Sequence, residues 1–262
     1  MNIAATIQAR LGSTRLPGKI LKKINGKPLL EYQIERIKKS KLVNQIIIVT
    51  TKKKQDFKLV NLSKKLKVNY YRGSTNDVLG RVAGAIKKFN VDIHIELISD
   101  SPFTDPKILD AIIEFYLKNK YQYVSNGMKL SFPSGMEVSV CSGDFFLEIE
   151  KKVKKNDLNR EHVEYHFTKN SKISKCNIIA PKKYRYPNIF LEVDTPKDFE
   201  LVSAIFQYFI KKNKFFYLKD ILNFLKKNPK LANLNRYVKR TWTHLKLKKK
   251  DKITNKLIKK IN

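Results

Sequence analysis

Three cations and two glycines crowd into "ARLGSTRLPGK", residues 9–19: Arg10, Arg15 and Lys19 alternate with Gly12 and Gly18. Arginine grips phosphate oxygens bidentately and lysine meets them as a point charge. A glycine-bearing loop leaving a strand also offers successive backbone N–H groups to an anion. The order matches neither G-x-x-x-x-G-K-[ST] nor G-x-G-x-x-G, so this is a phosphate loop of another kind. Two aspartates supply the complementary chemistry. Asp100 in "SDSPFTDP" and Asp194 in "LEVDTPKD" each follow an apolar run. A carboxylate at a strand's carboxyl end is well placed to hold Mg²⁺, and two of them beside a triphosphate would chelate one or two such ions. Asp105 with Pro106 reads instead as the N-cap and first residue of a helix over 107–119.

The elements that must position these residues follow from periodicity. "IAATIQ" (3–8), "QIIIVTT" (45–51), "KVNYYRG" and "DIHIELIS" (92–99) are strand-like runs, the second of them β-branched in the manner of parallel sheets buried on both faces. Between them, "PLLEYQIERIKKS", a polar stretch near 55–66 and "DVLGRVAGAIKKF" (77–89) carry helical spacing. This alternation predicts an open, mostly parallel α/β sheet with its ligand crevice at the carboxyl ends of the strands. Further on, "YQYVSN", "GMEVSVC" and "NIFLEVD" (188–194) read as strands, and "GDFFLEIEKKVKK" and "REHVEYHF" as helices. Thr195 and Pro196 open a helix over 196–211. Beyond residue 211, "FFYLKDILNFLKKNP" reads as one amphipathic helix stopped by Pro229. The expected division is therefore a catalytic domain over 1–211 and a helical, lysine-rich extension over 212–262.

Composition bounds the rest. The 262 residues are 42% hydrophobic, enough for one sizeable core. The formal net charge is +32, yet 46 of the 55 basic residues are lysines spread over nearly every helix. That spread argues for a general lysine bias, against a focused nucleic-acid patch, and for at most weak association of the basic tail with anionic membrane. Cys141 and Cys176 have no C-x-x-C spacing and are expected to be small buried residues. His162 and His166 stand four apart on one helical face but lack the H-E-x-x-H order and a third ligand, so a rim or packing role is expected. Trp242, near His244 in the tail, is read as a packing anchor. With no apolar h-region and no run of 18 apolar residues, a cytoplasmic location is expected.

"QARLGSTRLPGK" resembles the signature loop of the sugar-activating cytidylyltransferases, the CMP-acylneuraminate and CMP-Kdo synthetases, and most closely their spore-coat polysaccharide (SpsF-like) branch. The likeness continues in order through "GKPLLEYQIER", "YYRGSTNDVLGR", "SDSPFTDP", "FPSGMEVSV", "NREHV" and "LEVDTPKDFELV". It implies a Rossmann-like, GT-A-like nucleotidyltransferase fold, a three-layer sandwich. It implies transfer of CMP from CTP to a sugar acid or related anionic acceptor, in a homodimer, with Mg²⁺ as the cofactor. Carried over, Arg10, Ser13, Arg15 and Lys19 would hold the triphosphate together with backbone N–H groups of Leu11, Gly12 and Ser13. Asp100 and Asp194 would bind Mg²⁺. Arg72, Ser74, Asp77 and Arg81 would approach the base and ribose. Glu137 would contact the acceptor, with Arg160, Glu161 and His162 at the rim. The chain departs from the pattern at Ser99, where the family has glycine, and at Ser134 and Glu137, where relatives often have aspartates. A glycosyltransferase of similar plan would usually show D-x-D, and "SDSP" has a single aspartate; a non-enzymatic nucleic-acid or membrane binder would need clustered arginines and aromatics.

Overall fold

The protein is described by a computed structural model over residues 1–240, 253–258 and 261. Trp242 and His244 lie outside the described residues. Strand β1 (Ile3–Gln8) leads through a tight ladder of β2 (Lys23–Ile24) and β3 (Lys27–Pro28) into α1 (Leu29–Ile37). Then follow β4 (Gln45–Thr51), α2 (Phe57–Lys65), β5 (Asn69–Gly73), α3 (Val78–Lys88), β6 (Ile93–Ile98) and α4 (Pro106–Lys118). The second half runs β7 (Tyr123–Ser125), β8 (Ser139–Ser142), α5 (Gly143–Lys152), α6 (Val163–Thr168), β9 (Lys175–Ile179), α7 (Pro196–Lys211), α8 (Leu218–Lys227), α9 (Pro229–Ala232) and β10 (Thr254–Leu257).

Among the described residues, eight strands form one sheet in the order β10-β9-β7-β8-β6-β1-β4-β5. Every pairing is parallel except those of β8, which runs antiparallel between β6 and β7. The pleat sorts side chains to two cores. Ile46 and Ile48 of β4 join the helices α1, α4, α7 and α8 on one face, while Ile47 and Val49 join α3, α5 and α6 on the other. A strand sandwiched between helix layers has to be largely apolar on both faces, which is why β4 carries the run Ile46–Val49 and β1 is broken only at the buried Thr6. On β6 the alternation has a different use: Ile93, Ile95 and Leu97 face the first core, while His94 and Glu96 are buried on the opposite face.

Helix starts follow local capping chemistry. Asp105 accepts from Lys107 N and Ile108 N ahead of Pro106. Thr195 and Asp198 close a reciprocal capping box on α7. Asp77 caps α3 through Gly80 N.

Two local expectations are corrected and one is met. The run 188–194 is not a strand but an extended segment with one isolated parallel bridge, Ser134 to Phe190. Ser134 gives and takes only two backbone bonds there, with Ile189 O and Leu191 N, so no ladder propagates. In "GMEVSVC" regular pairing begins only at Ser139. As expected, the amphipathic helix stops ahead of Pro229: α8 ends at Lys227, and Pro229 occupies the first turn of a separate short helix, α9.

The helical extension after residue 211 packs against the parallel sheet's own core. Phe216, Leu218, Ile221, Leu222, Phe224 and Leu225 join it, and Leu218 N donates to Asp105 at 2.6 Å. Further on, β10 adds a parallel strand beside β9. No helix among the described residues is long and apolar enough to cross a membrane.

Candidate functional site

The phosphate-type loop follows β1 directly and is pinned from beneath. Buried Asp56 accepts from Leu11 N at 2.8 Å and from the Thr51 hydroxyl. Leu11 O in turn accepts from Ser13 N at 2.9 Å and Gly18 N at 3.2 Å, with Gly18 in the left-handed region at φ 63°. Glycine is suited to that turn because it adopts positive φ without a Cβ penalty. Of the three amides assigned to an anion, those of Leu11 and Ser13 are already engaged within the protein, and Gly12 N is the one left without a protein partner among the described residues.

The loop's far end delivers its cations to both aspartates. Lys19 Nζ lies 2.8 Å from Asp100 Oδ2 and 2.8 Å from Asp194 Oδ1, while Arg15 Nη2 lies 2.8 Å from Asp194 Oδ2. Burial opposes the charge on Lys19, but Asp100 and Asp194 outweigh it and raise its pKa above the ordinary lysine value. The aspartates converge through their backbones as well, since Val193 N donates to Asp100 O at 2.8 Å. Two carboxylates on one centre are hard oxygen donors. Mg²⁺ is commonly held by one or two such groups plus substrate phosphates, so the residues present fit that ion.

On the neighbouring flank, a cleft of about 550 Å³ is lined by Tyr71, Arg72, Ser74, Asp77 and Arg81, with lysines at its mouth. Several expected nucleotide contacts here are heavily committed to the fold. Arg72 donates to Thr51 O at 3.1 Å and Lys52 O at 2.7 Å, bracing the turn after β4. Arg81 donates to Ser74 O at 2.6 Å, and its buried Nε has no partner among the described residues. Burial, reinforced by nearby Arg10, lowers the Arg81 pKa to about 10. Arg160 lies inside the protein rather than at a rim. It is 2% exposed and forks onto Asp77 at 2.8 and 3.0 Å, with Glu150 and Val153 O as further acceptors. Gly80 belongs to the same knot, where a Cβ would collide with the Asp77 carboxylate.

Glu161 meets Arg10 at 3.0 Å, an exposed pair that ties the loop to the segment before α6. His162 is exposed at the N-cap of α6 and makes no capping bond; His166 lines a different surface hollow beside Ile149 and Tyr165. Glu137 accepts from Gly135 N at 2.8 Å. Burial first, and Glu192 second, push its carboxyl up to about 8.

Sequence reasoning missed the company Glu137 keeps. Glu164 accepts from Ser139 Oγ at 2.8 Å, Glu192 accepts from Ser134 Oγ, and Glu96 accepts from Gln8. Burial followed by Glu164 pushes the Glu96 carboxyl far up. Asp56, Asp198, Asn235 and Arg240 were missed as well. For Asp56, Asn235 and Arg240 the signal is three-dimensional, each acting on a partner tens of residues away, whereas the local spacing of Asp198 from Thr195 announces only a helix cap.

The family profile described as cytidylyltransferase matches residues 4–227. An uncharacterized protein of Methanocaldococcus jannaschii is 37% identical over 240 residues, 91% of this chain and 96% of its own length. The spore coat polysaccharide biosynthesis protein SpsF of Bacillus subtilis is 30% identical over 213 residues, 79% of this chain and 87% of its own. The solved structure of a cytidylyltransferase from Leptospira borgpetersenii serovar Hardjo-bovis superposes with a TM-score of 0.81 at 29% identity, covering 92% of this chain and 100% of that one.

Proposed function

Because the chain belongs to the cytidylyltransferase family, we propose that it transfers CMP from CTP to a sugar acid or related anionic acceptor, releasing pyrophosphate, in surface-polysaccharide biosynthesis. The observation that carries this reading is the clasp in which Lys19 and Arg15 of the first loop meet Asp100 and Asp194. An acceptor oxygen would attack the α-phosphorus as the bond to the bridging oxygen of pyrophosphate breaks. Such displacements need in-line positioning and neutralisation of moving negative charge far more than covalent help.

The chain's own groups meet those needs separately. Asp100 and Asp194 would hold Mg²⁺, which when bound supplies positive charge against the phosphate oxygens. Arg15 and Lys19, already charged and held by carboxylates, would turn toward the triphosphate, and Gly12 N offers one donor from the backbone. Arg10 would approach from the loop's start, where its present partner Glu161 is exposed and exchangeable. Leu11 and Ser13 would shape the loop, while Arg72, Ser74, Asp77 and Arg81 would form the wall beside base and ribose. On the acceptor side, Glu137 holds its proton to about pH 8. It can therefore donate a hydrogen bond to an acceptor carboxylate or hydroxyl without repelling it. Arg160, Glu161 and His162 complete this side, Arg160 indirectly through Asp77. The working form would be a cytoplasmic homodimer.

A pyrophosphate-release panel of four nucleoside triphosphates against sugar-acid acceptors, with Mg²⁺ present, tests the assignment. CTP alone should support release, and CTP should raise the melting temperature. If no triphosphate shifts the melting temperature and none yields pyrophosphate, the reading is wrong.

A further inference from the structure

Asp194 does not stand on a strand, so something else must hold its carboxylate in register with Lys19. The support is Asp198, four residues on and completely buried. One of its oxygens, Oδ2, accepts from Asp194 N at 3.0 Å, Thr195 N at 2.7 Å and Thr195 Oγ1 at 2.8 Å. These bonds would be worth little on a carboxylate free to rotate. Its orientation is set from the far side, by residues beyond the family-matched stretch. Asn235 Nδ2 donates to Asp198 Oδ1 at 2.7 Å, and Arg240 forks onto both oxygens at 2.7 and 3.2 Å. The same two side chains also hold the strandless segment leading to Asp194. Asn235 donates to Phe190 O at 3.0 Å, and the Arg240 guanidinium lies 4.6 Å over the Phe190 ring and 3.4 Å from Glu192. Asn235 and Arg240 are almost completely buried, so these contacts are shielded from water.

We infer that Asn235 and Arg240 are positioning residues for Asp194. Acting through Asp198, the segment after α9 fixes the geometry of the aspartate pair that Lys19 bridges. The metal-related part of this inference rests on the function proposed above; the geometric part does not. Groups bonded directly to a metal ligand typically change metal affinity by about 10–100-fold when lost; Asp198 holds the backbone amide of Asp194, and Asn235 and Arg240 stand one bond further out, so that range is their upper bound.

The test uses the full chain, free of nucleotide and metal, and trace acetylation of its lysines read by mass spectrometry. In the wild type Lys19 is protected by its two carboxylates. Arg240→Ala and Asn235→Ala should raise Lys19 reactivity several-fold, while Lys27, paired with Glu35, and the buried amine of Lys175 should not change. Arg240→Lys keeps the charge but not the planar fork and should fall between. A parallel titration should show the Mg²⁺ requirement for pyrophosphate release moving up in the Ala variants, by at most about 10–100-fold. Unchanged Lys19 labelling in folded Asn235→Ala overturns the inference, as does a rise shared equally by Lys19, Lys27 and Lys175. Should Arg240→Ala fail to fold, Asn235→Ala and Arg240→Lys decide the matter. A selective Lys19 response in a protein that releases no pyrophosphate from any triphosphate would sustain the positioning role and refute the proposed reaction.

Discussion

Lys19 sits between two carboxylates, and a charge in that place does two jobs. It keeps Asp100 and Asp194 from repelling one another, and it stands ready for a phosphate. Losing one preorganised charge contact in a site of this kind costs on the order of 10²–10³ in rate. Lys19→Ala should therefore lower CTP-dependent turnover at least a hundredfold with an unchanged circular dichroism spectrum; wild-type pyrophosphate release would remove Lys19 from the mechanism. Glu137 makes the opposite kind of prediction. Its folded carboxyl keeps a proton up to about 8, against 4.5 for an ordinary glutamate. Between those values the folded state binds more protons than the unfolded one, so stability falls as pH rises through the window. Glu137→Gln abolishes that titration. It should raise the melting temperature, relative to wild type, more at pH 8 than at pH 5. An equal shift at both values would show that Glu137 is ionised when folded.

Among the elements, β6 shows how a strand's second face becomes a polar layer. His94 accepts or donates across 2.7 Å to Thr6 on β1 and packs edge-on against Phe146 of α5. Burial lowers its pKa from 6.5 to about 3. Below pH 6.5 the unfolded chain takes up a proton that the folded one refuses, so stability falls with acidification at up to about 1.4 kcal/mol per pH unit. His94→Gln should flatten the melting temperature between pH 6.5 and 4; an unaltered slope would place the acid sensitivity elsewhere. The legibility of the elements follows the range of the forces that form them. Strands β1 and β4 and helices α3, α4 and α7 were readable because apolar period and capping residues such as Asp105, Thr195 and Pro196 act locally. The segment before Asp194 read as a strand from its apolar alternation, but pairing needs a neighbour, and Ser134 supplies a single bridge. Lys19, Arg15, Asp100 and Asp194 were readable by type and by resemblance. Asp56 was not, because its service to Leu11 spans 45 residues, and neither was the inward turn of Arg160.

At the scale of the whole molecule, the +32 charge and the phosphate-type loop are separate matters. The loop's cations are few and paired with carboxylates, whereas most lysines lie dispersed over the surface. Dispersed charge acts through counterions and fades with salt; a protein making 6–10 phosphate contacts loses about 10³–10⁵ in affinity between 50 and 200 mM salt. Retention on RNA or on anionic vesicles at 50 mM salt should therefore vanish at 200 mM, while the thermal shift produced by CTP persists. If both disappear together, the loop is no more specific than the surface around it. The stretch after α9 adds a matter of timing. Domains fold as units during synthesis, starting from the N-terminal side, but here Arg240 steadies Asp194 and β10 covers the edge of β9. A nascent chain halted before residue 235 would already carry Lys19, Asp100 and Asp194, yet with Asp198 unsupported and the edge of β9 bare. Activity should thus switch on late in translation, and fragments stalled before residue 235 should leave the edge of β9 open to pairing with another chain.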